Sequence, residues 1–111
     1  MTRVKSIHVV YANWCPHCVP TAVEPMKKYA AELGAELDLL DIDVAEEKAD
    51  SIVKEYGDWA EDYLIPQVFF ELDNGKMVHV MTGFSEGVEF TRSAVERLHA
   101  SQFYRKLIPS Q

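Results

Sequence analysis

Both cysteines of the chain fall in one short stretch, NWCPHCVP at residues 13–20, where Pro16 and His17 separate Cys15 from Cys18. Thiols at that spacing have three uses: a dithiol that cycles to a disulfide, half of a metal site, or a pair of inert core side chains. Redox work calls for a helix start. Cys15 would then sit at the exposed end and Cys18 one turn inward, close enough for the sulfurs to bond. Unpaired N–H groups and the positive end of the helix dipole would stabilise a thiolate at Cys15. Cys15 becomes the attacking group and Cys18 resolves the mixed disulfide. The spacer tunes the pair: Pro16 has no N–H to lose at a first helical position, and a protonated or hydrogen-bonding His17 adds stabilisation to the neighbouring thiolate. A metal site needs two further ligands. His8, His79 and His99 are spread over two strands and a helix and read as ordinary polar or partly buried histidines. Ligation of a metal or iron–sulfur cluster by Cys15 from two chains is the other metal route.

The elements that must hold these groups follow from patterning. VKSIHVVYA, residues 4–12, is β-branched and apolar enough for a buried strand. Cys15 and Pro16 then open a helix that reaches Leu33, with Gly34 just past its end; Pro20 and Pro25 fall inside that helix and should bend it. AELDLLDIDV (35–44) alternates as a second strand. AEEKADSIVKEY (45–56) places Ala49, Ile52, Val53 and Tyr56 near helical spacing and breaks at Gly57. QVFFEL and KMVHVMTGF are joined by DNG, a strong hairpin signal, which makes the pair antiparallel. From Ser85, a good N-cap residue, one final helix continues to Leu107 with Val88, Ala94, Val95 and Leu98 inward. The predicted fold is α/β: a βαβ unit, a second helix, and a hairpin that completes a four-stranded mixed sheet before the last helix, with helices on both faces.

Composition bounds the rest. A chain of 111 residues with 48% hydrophobic content is expected to form one domain, 1–111, around one core. No stretch approaches the roughly 18 to 20 apolar residues of a membrane span, and the N-terminus lacks the zones of a secretion signal, so no membrane contact and a cytoplasmic location are expected. A formal charge of −7 argues against a nucleic-acid partner. Two cysteines are too few for a disulfide-dependent scaffold.

Three motifs occur in the order found in the thioredoxin superfamily: WCPHC after the first strand, IP just before the third, and DNGKMVHVMTGF leading to the last helix. The chain resembles that superfamily from about Ile7 to Leu98, in the shorter form shared with glutaredoxins, since the first strand and helix of full thioredoxins have no counterpart. The resemblance implies a thioredoxin-like fold. It also implies that Pro66 is cis and faces the cysteines, with the backbone of Ile65 pairing with the substrate; read alone, Pro66 would be a trans proline opening a strand. Trp14 matches the aromatic residue before the first cysteine and would pack beside the site, whereas a lone tryptophan reads as a core anchor. The chain also departs from the family. The buried aspartate and the lysine of the thioredoxin proton relay fall near Val9 and Leu39, so that relay is missing. The Gly-Gly and acidic cluster that holds glutathione in glutaredoxins is reduced to the separated Gly83 and Gly87. The Pro-His spacer is similar to that of periplasmic disulfide-forming oxidants, without their helical insertion. DWAEDYL, about one helical turn longer than in a typical thioredoxin, reads as a solvated helix end with Trp59 and Tyr63 in the core. Its alternative is an acidic, aromatic rim that selects partners of positive surface.

The functional expectation is a thiol–disulfide oxidoreductase that reduces or exchanges protein disulfides. Cys15 and Cys18 are catalytic, Pro16 and His17 set the potential, and Trp14, Ile65 and Pro66 meet the substrate. No metal or organic cofactor is required, because the dithiol itself carries two electrons. The expected partners are protein disulfides and an upstream redox protein or low-molecular-weight thiol. The rivals are a metal- or cluster-binding module on the same cysteines and a redox-inert adaptor that docks through DWAEDYL.

Overall fold

The computed structural model describes residues 3–16, 18–83 and 88–108. The elements are β1 (Val4–Tyr11), a π-helical turn (Val19–Val23) that continues as α1 (Glu24–Leu33), β2 (Glu36–Asp41), α2 (Glu46–Tyr56), β3 (Gln67–Leu72), β4 (Met77–Thr82), α3 (Val88–Ala100) and α4 (Gln102–Leu107). The four strands form one mixed sheet in the order β2-β1-β3-β4, parallel between β1 and β2 and antiparallel elsewhere. None of the described helices is long and apolar enough to cross a membrane.

Side chains alternate across a strand, so the central strands feed two cores. Ile7, Val9, Val68 and Phe70 pack with Met26, Ala30 and Leu33 of α1, Val95 and Leu98 of α3, and Tyr104 of α4. Val10 and Phe69, with Leu40 of β2, pack under Ala49, Ile52 and Val53 of α2. Helices therefore lie on both faces of the sheet, and each fully buried large apolar side chain contributes about 1.5–3 kcal/mol relative to exposure.

Several elements differ from the sequence expectation, and three of the differences have a local cause. The prolines of the first helix do more than bend it: the Glu24 N–H reaches the Val19 carbonyl, a five-residue step, just before Pro25, which has no N–H. Widening the turn relieves the clash of the proline ring with the carbonyl four residues back. The helix then closes on Gly34 at φ 68°, with the Ala35 N–H on the Ala30 carbonyl at 2.8 Å. Strand β2 stops at Asp41 instead of reaching Val44, because the Asp43 N–H turns back onto the Asp41 carboxylate at 2.9 Å. The expected single final helix is two helices. Ser101 ends α3 by donating to the Leu98 carbonyl at 2.6 Å, and caps α4 by accepting from the Tyr104 N–H at 3.1 Å. That break lets Tyr104 enter the core, where its hydroxyl donates to Glu32 of α1 at 2.6 Å. Of the four residues expected inward on α3, Val95 and Leu98 are buried while Val88 and Ala94 are half-buried. The N-cap assigned to Ser85 lies outside the described residues.

Candidate functional site

The turn that follows β1 places the cysteines. The Cys15 N–H closes it on the Ala12 carbonyl at 3.1 Å, and the Cys18 N–H closes a second turn on the Cys15 carbonyl at 3.4 Å. The first helical element starts at Val19 with Cys18 as its N-cap, so Cys15 and Pro16 lie in turns before the helix and do not open it as expected. Cys15 and Cys18 are joined by a disulfide, with their Cα atoms 5.4 Å apart. In this oxidised form Cys15 is 5% exposed and Cys18 fully buried, so both cysteines are buried and the exposed placement expected of Cys15 is not found. Trp14 is 65% exposed, which overturns the reading of that residue as a core anchor. Pro16 is exposed on the turn. His17 lies outside the described residues, as does Gly87.

Ile65 packs against the cluster of Ala12, Cys15 and Cys18, together with Tyr11 and Ile42. The bond from Ile65 to Pro66 is cis, the isomer that the resemblance implies, and Pro66 is buried. The structure thus gathers Cys15, Cys18 and Ile65, and Pro66 is joined to Ile65 through the cis bond.

Two residues hold this arrangement: Gly83, legible in the sequence only as a remnant of a glutathione site, and Gln67, which sequence reasoning missed. The Gly83 N–H bonds the Pro66 carbonyl at 2.7 Å, and a Cβ there would fall 2.5 Å from Pro66 Cδ and 2.9 Å from the Ile65 oxygen. Gly83 is required for that approach. Gln67, fully buried at the start of β3, accepts from the Asp58 N–H at 3.1 Å and donates to the carbonyls of Asp58 at 3.2 Å and Leu64 at 2.9 Å. One amide thereby ties both ends of the 58–64 loop to the residue after Pro66. The only signal in the sequence was a polar residue opening the apolar run VFF of the third strand.

The DWAEDYL segment is a loop without helix. Trp59 is not in the core: it is 42% exposed, with the Lys54 ammonium 4.6 Å above its ring. Tyr63 is half-buried against the α2 core and donates to Asp50 at 2.7 Å. Burial, followed by that carboxylate, pushes the phenol well above its ordinary range. Beside the cysteines this loop and the β2–α2 connection bound a groove of about 390 Å³. Trp14, Ile42, Tyr63 and Ile65 form its apolar wall, and Asp43, Glu46, Asp50, Glu61 and Asp62 line the remainder.

The three described histidines are engaged away from the cysteines. His8 contacts Asp38 at 2.7 Å and Glu71 at 2.9 Å, His79 contacts Thr82 at 2.7 Å, and His99 contacts Glu32 at 2.9 Å. Among the described residues no group of three or more His, Cys, Asp or Glu side chains is placed to hold a metal ion. Val9 is buried and Leu39, its partner across β1 and β2, is exposed; both side chains are aliphatic and carry no proton to give. Compared with family models, with curated proteins and with solved structures, the chain finds no match in any of the three.

Proposed function

We propose that the protein is a thiol–disulfide oxidoreductase of thioredoxin-like architecture. The observation that carries this reading is the bonded Cys15–Cys18 pair at a strand-to-helix turn, packed against Ile65 and flanked by an exposed Trp14. The strand order and the proline behind Ile65 are compatible with it.

The reaction starts from the reduced pair. The Cys15 thiolate attacks one sulfur of a substrate disulfide, forming a mixed disulfide and expelling the other substrate sulfur as a thiolate that takes up a proton. Cys18, once deprotonated, attacks Cys15 Sγ. The second substrate thiol leaves, and the Cys15–Cys18 disulfide remains. Two electrons pass from the protein dithiol to the substrate, and a low-molecular-weight thiol or a second redox protein returns them. A cytoplasmic glutathione poise would keep such a pair mostly reduced, so reduction or exchange is the proposed direction.

The test is the reduction potential of the pair, measured in a thiol redox buffer by the mass of alkylated cysteines. A value near −270 mV, about that of thioredoxin, supports a reductase; one above about −200 mV supports an isomerase or oxidant. Cys15→Ser should abolish exchange, and Cys18→Ser should accumulate the mixed disulfide on Cys15. If no intramolecular disulfide forms across the range, the redox reading falls and metal content becomes the next measurement.

A further inference from the structure

Asp41, the last residue of β2, is a carboxylate that is only 8% exposed. Burying a carboxylate is unfavourable unless its oxygens are bonded, and both of these are. Oδ2 accepts from Asn13 Nδ2 at 2.6 Å and Oδ1 from the Asp43 N–H at 2.9 Å. The backbone around Asp41 is equally fixed. Its carbonyl accepts from the Val44 N–H at 3.0 Å and the Ala45 N–H at 2.7 Å, and it lies in register beside Tyr11, whose carbonyl accepts from the Ile42 N–H at 2.9 Å. Asn13 is exposed and sits inside the Ala12–Cys15 turn, between the end of β1 and the reactive cysteine. Its side chain is the link from that turn to the rigid end of β2.

We infer that Asp41 is a positioning residue for Cys15, acting through Asn13. The inference rests on the thiol–disulfide reading of Cys15 and adds to it a residue outside the cysteine motif. Attack on a disulfide needs the incoming sulfur in line with the bond that breaks, so the direction in which the turn presents Cys15 controls the rate. Displacement by about 1 Å costs on the order of 100-fold in such reactions. A hydrogen bond to an ionised acceptor is of the strong class, suited to holding an exposed turn. An amide at position 13 donates to the carboxylate without adding charge beside the thiolate.

The test compares wild type, Asn13→Ala, Asn13→Asp and the exchanged pair Asn13→Asp with Asp41→Asn. The reduced proteins are mixed with a small aromatic disulfide, the rate constant of exchange at Cys15 is measured, and the melting temperature is recorded alongside. Asn13→Ala should slow exchange about tenfold, within the span expected for misalignment. It should also lower the melting temperature, because Asp41 Oδ2 is left buried without its donor; rates are therefore compared well below the transition of the least stable variant. Asn13→Asp sets two carboxylates against each other and should slow it at least as much. The exchanged pair restores one donor and one acceptor, the amide at position 41 donating to the carboxylate at position 13, and should return to within about twofold of wild type. A wild type that exchanges normally beside an equally fast Asn13→Ala overturns this inference and leaves the redox reading standing. So does a slow Asn13→Ala that the exchanged pair, folded to the same melting temperature, fails to rescue. A wild type that does not exchange at all removes the redox reading and this inference with it.

Discussion

At the scale of single residues, Gly83 matters for the atom it lacks. An added Cβ would press on Pro66 Cδ at 2.5 Å, the Ile65 oxygen at 2.9 Å and the Pro66 nitrogen at 3.0 Å, and two of these are backbone atoms that cannot swing aside. Gly83→Ala should therefore lose about 1–3 kcal/mol, as overpacked sites do. It should also slow disulfide exchange, because relief of the clash moves Ile65 off the cysteine cluster. Urea midpoints and exchange rates measured on the same preparation check both; a variant of unchanged stability would show that the approach is looser than drawn. The sequence displayed the cysteines because their chemistry is written in adjacent residue types. It could not display Gly83, Gln67 or Asp41 in their roles, since each acts on a partner 9 to 28 positions away or across a strand. Gly83 was noticed, but as a remnant of a glutathione site. Trp14 shows the converse: aromatic bulk alone suggested the core, and the turn it occupies turns it to solvent.

At the scale of elements, alternation and the DNG turn made the strands and their pairing legible, while the ends of elements were set by side-chain bonds that periodicity does not register. The Asx turn at Asp41 and the Ser101 break are two cases. Ser101→Ala removes a cap from α4 and should cost about 1 kcal/mol, read as a lower urea midpoint. Side-chain bonds also link the strands away from their ends. His8 on the central strand contacts Asp38 on β2 and Glu71 on β3, and Lys48 of α2 donates to Asp38 at 3.0 Å. Burial alone would raise the Asp38 carboxyl, but the hydrogen bonds from His8 and Lys48 outweigh it and hold the group below its ordinary value. A carboxyl whose folded pKa is depressed takes up a proton more readily when unfolded. Its stabilising contribution is complete above the unfolded value near 3.9 and is lost as pH falls through the lower folded value. Urea midpoints measured from about pH 6 to pH 2 should decline across that acid window, and Asp38→Asn should flatten the decline while lowering the midpoint at neutral pH. Parallel curves for variant and wild type would remove Asp38 as the source.

At the scale of the whole molecule, composition announced a net charge of −7 but not where it gathers. Asp43 and Glu46 come from the β2–α2 connection, Glu61 and Asp62 from the loop before Pro66, and folding sets them around one groove with Trp14 and Ile65. Among the described residues none of these four carboxylates has an ion-pair partner. Like charge in a concave wall raises the local concentration of oppositely charged reactants by about tenfold or more at low salt. Under the proposed function, a disulfide peptide flanked by lysines should therefore exchange about tenfold faster than one flanked by glutamates at about 10 mM ionic strength, where the screening length is roughly 30 Å. The ratio should approach one near 1 M, where that length is about 3 Å. Neutralising part of the wall with Glu61→Gln and Asp62→Asn should shrink the low-salt ratio by accelerating the acidic peptide and slowing the basic one, since repulsion and attraction weaken together. Equal rates for the two peptides at low salt would mean that the disulfide approaches Cys15 from a side the groove does not face.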